Sequence, residues 1–523
     1  GSLFRKYTAS GWPPNHSYKL YTINDIDFWL YANSNKLVLW RSTGSRCQRF
    51  SAFCHVSGIP VAIRVPSQCR RTMLRLFWLV NLMTIASSAA SAHDRSPIFE
   101  PVLPGSKSLT NRALALAAAR KGKTRVIGAL HADDTVRFAG CINRFGGLSV
   151  EADPGRAAFR VEKSCPGERP LAPRDRLDIG AAGTPARFLL SMAADAEGET
   201  TITGTPRLCE RPMASGIEAL RAIGHEIVET GKAGCLPVRI VGGRPTGTHW
   251  RVDGSVSSQF TSSMLLSAAR QNPDNGPVHV EATGNLVSRP YVDMTVATMR
   301  AAGIEVEPAG PQIWRVQPGQ PGVATIAVEP DASAMSYFFG AAAILGGTAR
   351  VSGLGTASAQ GDVGLIHVLE EMGCAVSATP TEIELRGPEG ALRGIEVDLE
   401  TMPDMVLTLA VVAAFAQGRT KIVNIANLRL KECDRLHAAA QELQRIGIYA
   451  QEGPDWLEIV PDGNRPRPAS VRTYDDHRVA MAFSLAGLVC PGITIEDPAC
   501  VAKSFPDYWR EYARLAEAYG VGL

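Results

Sequence analysis

SAMSYFFGAAAILGGTARVSG, residues 333–353, shows the fold in miniature: small and apolar residues over about four turns, then Gly-Gly-Thr, then a strand-like run. Six stretches share this plan. They begin at Ser108, Thr184, Gln259, Ser333, Asp404 and Asp476, so successive starts lie 76, 75, 74, 71 and 72 residues apart. A fixed period decides the architecture before any single element does. This one is too long for a solenoid repeat and too short for a whole domain. It suits a β-α-β-α-β-β unit present six times.

The helical runs are apolar on every side, as in FFGAAAIL (338–345) and AVVAAF (410–415). A helix apolar all round is buried. Gly and Pro punctuate the chain between helical and strand-like runs, an α/β pattern. The implied architecture is α/β with helices inside and sheets outside, three repeats closing around each of two cores. The chain is expected to pass between cores near Val328–Asp331 and again just before Pro104. That gives residues 105–328 as one three-repeat domain, and 96–104 with 329–523 as the other.

Residues 1–95 differ in composition. They carry 12 Lys and Arg against 3 Asp and Glu, whereas the rest carries 42 against 48. They hold 4 of the 8 Trp but only 4 of the 49 Gly. We read them as a leader of separate role, with no clear motif of their own. MLRLFWLVNLMTIASSAASA (73–92) has the form of a signal peptide, and its apolar run is too short and polar to span a bilayer. Organelle targeting and a non-native extension are the other readings, the second because the chain opens Gly-Ser. Eleven cysteines without a Cys-x-x-Cys pair point to a reducing, cytoplasmic setting and away from disulfides or zinc. Basic residues in the main body are dispersed, which argues against nucleic acid as a partner.

At the head of the six runs lie Gly105-Ser106-Lys107-Ser108, Gly183-Thr184, Ser257-Ser258-Gln259, Asp331, Asp404 and Asp476-His477-Arg478. Helix N-termini present free N–H groups and partial positive charge. Small residues there let an anion reach the backbone. Singly, each cluster reads as an N-cap; six together, with Lys and Arg among them, read as an anion site. Lys107, Ser108 and Arg112 form a phosphate grip, Ser108 and Arg112 sharing a helix face. Arg211 precedes Pro212. Lys431, Glu432 and Arg435 are placed on one helix, where an ordinary salt-bridged face is the competing explanation.

PGSKSLTNRAL, AGTPARF, ERP, DGSVSSQF, SRPY, LRLKECDRL, TYDDHRVAM and AKSFPDYW occur in the order seen in 5-enolpyruvylshikimate-3-phosphate synthases, and the chain resembles that family from about Pro101 to Leu515. The resemblance implies a two-domain inverse β/α prism of six βαβαββ units, a monomer without metal or organic cofactor. It implies transfer of the carboxyvinyl group of phosphoenolpyruvate to the 5-hydroxyl of shikimate 3-phosphate. By motif, Lys107, Ser108, Arg112, Ser257, Ser258, Gln259, Ser288, Asp404, Asn427 and Lys431 match shikimate 3-phosphate contacts. Lys107, Gly183, Arg211, Gln259, Arg435, Arg478 and Lys503 match phosphoenolpyruvate contacts. Asp404 would be the base and Glu432 the acid, with Lys107 an alternative proton carrier. Gly183 would let the ligand approach where a Cβ would collide.

The chain departs from the family in three places. Ala181 stands where Asn is common, Pro185 where a small residue is usual, and only SPIFEPVLPG (96–105) precedes the first motif, so the first strand is expected to be missing. Two other readings stay open. The sister transferase acting on UDP-N-acetylglucosamine uses a Cys ahead of its Arg-Pro, and Cys209 lies near Arg211-Pro212, although the spacing is short. A relative that binds anions without turnover is the second.

Overall fold

The computed structural model describes residues 98–164, 169–173 and 175–522, and the backbone of four strands between residues 19 and 52. The chain divides into two compact units, residues 1–95 and 96–523. In the first, Lys19–Ile23, Ile26–Asn33, Lys36–Thr43 and Arg46–Ala52 form an antiparallel meander in chain order. Sequence reading found no motif there. Yet Asn24-Asp25, Ser34-Asn35 and Gly44-Ser45 recur every ten residues between β-rich runs, which is a hairpin signal. The signal-like stretch 73–92 lies outside the described residues.

The second unit is built around six inner helices: Lys107–Ala117, Gly183–Asp195, Ser258–Ala269, Ala332–Leu345, Val406–Ala413 and His477–Gly487. They are buried on nearly every side, as their composition requires. The repeat is visible in their bonding. Arg187 donates to Gln259 at 2.9 Å, Ser263 to Ser191 at 2.9 Å and Ser267 to Asp195 at 2.9 Å. These partners are each 72 residues apart and step by four along their helices, so equivalent faces of successive repeats meet.

Five four-stranded sheets and one two-stranded sheet surround the helices among the described residues of this unit. In three of the five four-stranded sheets, the strand before an inner helix pairs parallel with the strand after it, and an antiparallel pair follows. Leu177–Asp178 and Glu199–Thr203 make such a parallel pair around the second inner helix. In the sixth repeat Ser470–Val471 pairs with Thr494–Ile495, and among the described residues the helix Tyr508–Ala518 follows where the other repeats have an antiparallel pair.

Two hydrophobic clusters form, one from Leu109 to Val328 and one from Phe99 with Ala332–Ala516. Each closes by borrowing a strand from beyond its other repeats. Thr325–Ala327 pairs parallel with Arg125–Ile127. Ile98–Phe99 pairs parallel with Thr348–Ala349. The strand expected to be missing is therefore present, shortened to two residues and held by side chains. Phe99 is 4% exposed, its ring centroid 5.7 Å from that of Phe338. Where the chain passes between the cores, its two strands run side by side: Ser106 N–H donates to Glu329 O and Asp331 N–H to Pro104 O, both at 2.9 Å.

Candidate active site

The N-terminal ends of five of the six inner helices, from both halves, open on one cleft. Of the sixteen candidate residues, fifteen line it: Lys107, Ser108, Arg112, Gly183, Arg211, Ser257, Ser258, Gln259, Ser288, Asp404, Asn427, Lys431, Glu432, Arg435 and Arg478. Lys503 reaches it indirectly, its Nζ 3.5 Å from Glu432 and 3.2 Å from the Ala181 carbonyl. Ala181 thus serves through its backbone, and losing the usual Asn side chain leaves that contact intact. Pro185 is the third residue of its helix, where a backbone N–H would have no intrahelical acceptor.

Capping explains some of the helix starts and not others. Ser106, Ser257, Asp331 and Asp476 are N-caps whose side chains accept backbone N–H groups. Asp331 does more: one oxygen takes Ala334 N–H and the other Lys107 N–H, both at 2.9 Å, joining helix starts from the two halves. Asp404 caps nothing. It sits in a short turn, Pro403–Met405, ahead of its helix, and its carboxylate faces cations. Arg478 lies 2.8 Å away, Arg435 3.0 Å and Lys431 3.6 Å.

Lys431 and Glu432 are not helical, contrary to expectation. Asp434 accepts His437 N–H and starts the helix at Arg435, leaving both in the loop before it. Nor is this a surface strip. Arg435 is 2% exposed, and its guanidinium donates to Asp476 twice, to Asp404 and to Glu432. Four donors of five are thereby taken. Glu432 also faces Arg211 at 3.8 Å. Asn427 donates to Ser288 Oγ at 3.2 Å across the halves, and its buried side-chain oxygen has no partner. Ser288 holds a left-handed backbone, φ 53°, uncommon outside glycine.

Charge dominates the cleft, with seven cations against three carboxylates. Burial alone would raise the Asp404 carboxyl, but Arg478, Lys431, Arg435 and Lys107 hold it far below the usual carboxylate range. Burial likewise works to raise Glu432, and Arg435, Lys503, Arg211 and Lys107 outweigh it and hold the group well below its ordinary value. Arg112 is buried without a carboxylate. It donates to Thr295, to the Ser108 carbonyl and to the Tyr291 carbonyl, and burial lowers it to about 10. Both ordinary and lowered values leave it charged at neutral pH.

Sequence reading passed over Arg187, Asp134 and Tyr291. Arg187 donates to Gln259, Gly183 O and Pro212 O, and its Nε has no partner. Burial, then repulsion from Arg211, lowers it to about 9. A charge inside AGTPARF, on an otherwise apolar inner helix, was the signal for it. Asp134 pairs with Lys107 at 3.4 Å. A Cβ on Gly183 would fall 2.5 Å from Arg211 Nη1, so the space the glycine leaves is filled by that guanidinium rather than left for a ligand. Cys209 does not line the cleft; its thiol faces the Gly204 carbonyl at 3.6 Å.

A family model described as EPSP synthase (3-phosphoshikimate 1-carboxyvinyltransferase) matches residues 102–512. The 3-phosphoshikimate 1-carboxyvinyltransferase of Pseudoalteromonas translucida is 39% identical over 417 residues, 79% of this chain and 96% of that protein. That of Proteus mirabilis is 40% identical over 420 residues, 80% and 96% of the two chains. The solved EPSP synthase from Acinetobacter baumannii superposes with a TM-score of 0.65 at 26% identity, covering 80% of this chain and 95% of that one. The enolpyruvyl transferase NikO from Streptomyces tendae, at 19% identity and TM-score 0.63, shares the fold. From its motifs, its six-repeat architecture and these relatives, the chain belongs to the EPSP synthase (3-phosphoshikimate 1-carboxyvinyltransferase) family.

Proposed function

We propose that residues 96–523 transfer the carboxyvinyl group of phosphoenolpyruvate to the 5-hydroxyl of shikimate 3-phosphate and release phosphate. The observation that carries this reading is the cleft's surplus of buried cations around two carboxylates, Asp404 and Glu432. Each substrate brings a carboxylate and a phosphate, and Arg and Lys are the matching partners. Lys107, Ser108, Arg112, Ser257, Ser258, Gln259, Ser288, Asn427 and Lys431 hold shikimate 3-phosphate. Arg211, Arg435, Arg478 and Lys503, with Lys107 and Gln259, hold phosphoenolpyruvate, and Gly183 makes the room that Arg211 occupies.

Asp404 takes the proton of the 5-hydroxyl as its oxygen attacks C2 of phosphoenolpyruvate. C3 receives a proton from Glu432, with Lys107 the alternative carrier, giving a tetrahedral ketal. The C2–O bond to phosphate then breaks as Glu432 takes a proton back from the new methyl group and the departing phosphate accepts the proton held by Asp404, restoring the vinyl and both carboxyl groups to their starting states. Cations around the departing phosphate stabilise that step. Residues 105–328 and 96–104 with 329–523 act as two domains closing on the substrates, and residues 1–95 are dispensable for the reaction. The enzyme works as a monomer in the cytoplasm and needs no cofactor. Among the described residues no helix is long and apolar enough to cross a membrane.

The test is phosphate release with both substrates, using UDP-N-acetylglucosamine as the control acceptor. Release that requires shikimate 3-phosphate supports the reading, as does retention after trimming at residue 95. Binding without release, or release with the control acceptor, refutes it. Small-angle scattering with both ligand sites filled checks closure; an unchanged radius counts against it.

A further inference from the structure

Gln360-Gly361-Asp362, in the second half, touches both halves at once. Gln360 is 5% exposed and clasps the crossing strand: its Nε2 donates to Pro330 O at 2.8 Å and its Oε1 accepts Ala332 N–H at 3.1 Å. Gly361 lies against Pro290 of the first half, so closely that a Cβ there would come within 2.6 Å of the Pro290 Cβ. Asp362, also 5% exposed, accepts the Tyr291 hydroxyl at 3.0 Å on one oxygen and the Ser333 hydroxyl on the other.

Both of its partners lead into the cleft. The Tyr291 carbonyl accepts Arg112 Nη2 at 2.8 Å. Ser333 Oγ accepts Arg478 Nη2 at 3.2 Å, and the same nitrogen donates to Asp404 at 2.8 Å. A continuous bonded path thus runs from Arg112 in one half to Arg478 and Asp404 in the other. The charged groups facing Asp362 are Asp404, Arg478 and Asp331, and no cation bonds it directly in the described residues. Burial, then repulsion from Asp404, raises its carboxyl to about 6.

We infer that Asp362 is a positioning residue: through Tyr291 and Ser333 it couples the Arg112 anion grip of the first half to the Arg478–Asp404 grip of the second, so that filling either shapes the other. The inference rests on the two-substrate reading above. Coupling of this kind is reciprocal and spans about 5- to 150-fold in affinity.

The experiment is isothermal calorimetry of shikimate 3-phosphate, alone and with a saturating phosphonate mimic of phosphoenolpyruvate. It is run on wild type, Asp362→Asn, Tyr291→Phe and the double variant. Wild type should bind shikimate 3-phosphate at least about 5-fold more tightly with the mimic present. Each single variant should lose most of that factor, with Asp362→Asn, which lies outside the cleft lining, leaving affinity for shikimate 3-phosphate alone within about 3-fold, and the double variant should be no worse than either. The inference is overturned if wild type shows no coupling, if the variants keep it, if affinity for shikimate 3-phosphate alone falls equally, or if the two losses multiply. Tyr291→Phe removes only a hydroxyl and carries the test if Asp362→Asn does not fold. Wild-type turnover separates the failures: without it the functional reading fails, and with it only the latch is at stake.

Discussion

Gly183→Ala probes a close approach in the cleft, that of the Arg211 guanidinium to the Gly183 backbone. The new methyl would lie 2.5 Å from Arg211 Nη1, 2.9 Å from Cζ and 3.0 Å from Nη2. Comfortable heavy-atom separations begin at about 3.5 Å, so the guanidinium must retreat by about 1 Å. It is not free to do so. Arg211 is 6% exposed, its Nε donates to Leu430 O at 3.2 Å, and Nη1 faces Glu432. The helix cannot yield either, because Arg187 donates to the Gly183 carbonyl at 3.2 Å. The expected effect is loss of one charge-assisted bond to the anion Arg211 holds, about 1.5–3 kcal/mol or roughly 10- to 150-fold in affinity.

Steady-state kinetics at saturating shikimate 3-phosphate should show the KM for phosphoenolpyruvate and the Ki of a phosphonate mimic rising together. Because the methyl is proposed to act through the guanidinium, Arg211→Lys should shrink the penalty: the narrower ammonium leaves the methyl room. A Gly183→Ala penalty of undiminished size on the Arg211→Lys background would mean that the methyl strikes the ligand itself, and the argument from Arg211 would be wrong.

Asp404→Asn should lower kcat by about 100- to 10,000-fold as the base is lost. It should not weaken either ligand, because it releases Arg478, Arg435 and Lys431 from a carboxylate within 3.6 Å; normal turnover would remove Asp404 from the mechanism. Phe99→Ala should cost about 3–5 kcal/mol in urea unfolding, the usual loss for a buried Phe, and a negligible cost would show that the two-residue strand does not close the second core. Asp362→Asn tests the sign of a raised carboxyl. The penalty for burying its charge is absent below the ordinary value near 4 and complete above about 6, so the variant should gain up to about 3 kcal/mol at pH 8 and nothing at pH 4. Equal unfolding midpoints relative to wild type at both pH values would contradict this.

How much of this was legible beforehand depends on distance along the chain. The inner helices declared themselves because a run such as 338–345 is apolar on every face and can only be buried. The cleft was legible because family motifs sit at helix starts. Partners distant along the chain were not. Asp362 stands 71 residues from Tyr291, and Arg187 is 72 from Gln259; nothing local to either announces its neighbour. Lys431 and Glu432 misled because LRLKECDRL has helical spacing on both sides of Asp434, whose carboxylate instead begins a new helix. Asp404 looked like a cap because its siblings Asp331 and Asp476 are caps, and only the surrounding cations distinguish it.

Those cations raise a question about the proposed base. A carboxylate held far below its ordinary range is a poor proton acceptor and carries no proton to give, and without ligand Asp404, the proposed base, and Glu432, the proposed acid, are both in that condition. The substrates resolve this through their own charge. A phosphate or carboxylate bound to Arg478 or Lys431 screens Asp404 from them, and one bound to Arg211 or Lys503 does the same for Glu432. Both carboxyls then move back toward values useful for proton transfer, so the acid and base awaken only when the cleft is loaded. The prediction is a carbon-13 titration of the side-chain carboxyls, with Asp404→Asn assigning the resonance. In the free protein Asp404 should show no titration above about pH 4, and with shikimate 3-phosphate and a phosphonate mimic bound its midpoint should move upward. A midpoint indifferent to the ligands would leave Asp404 a holder of cations, and the proton would have to be taken elsewhere.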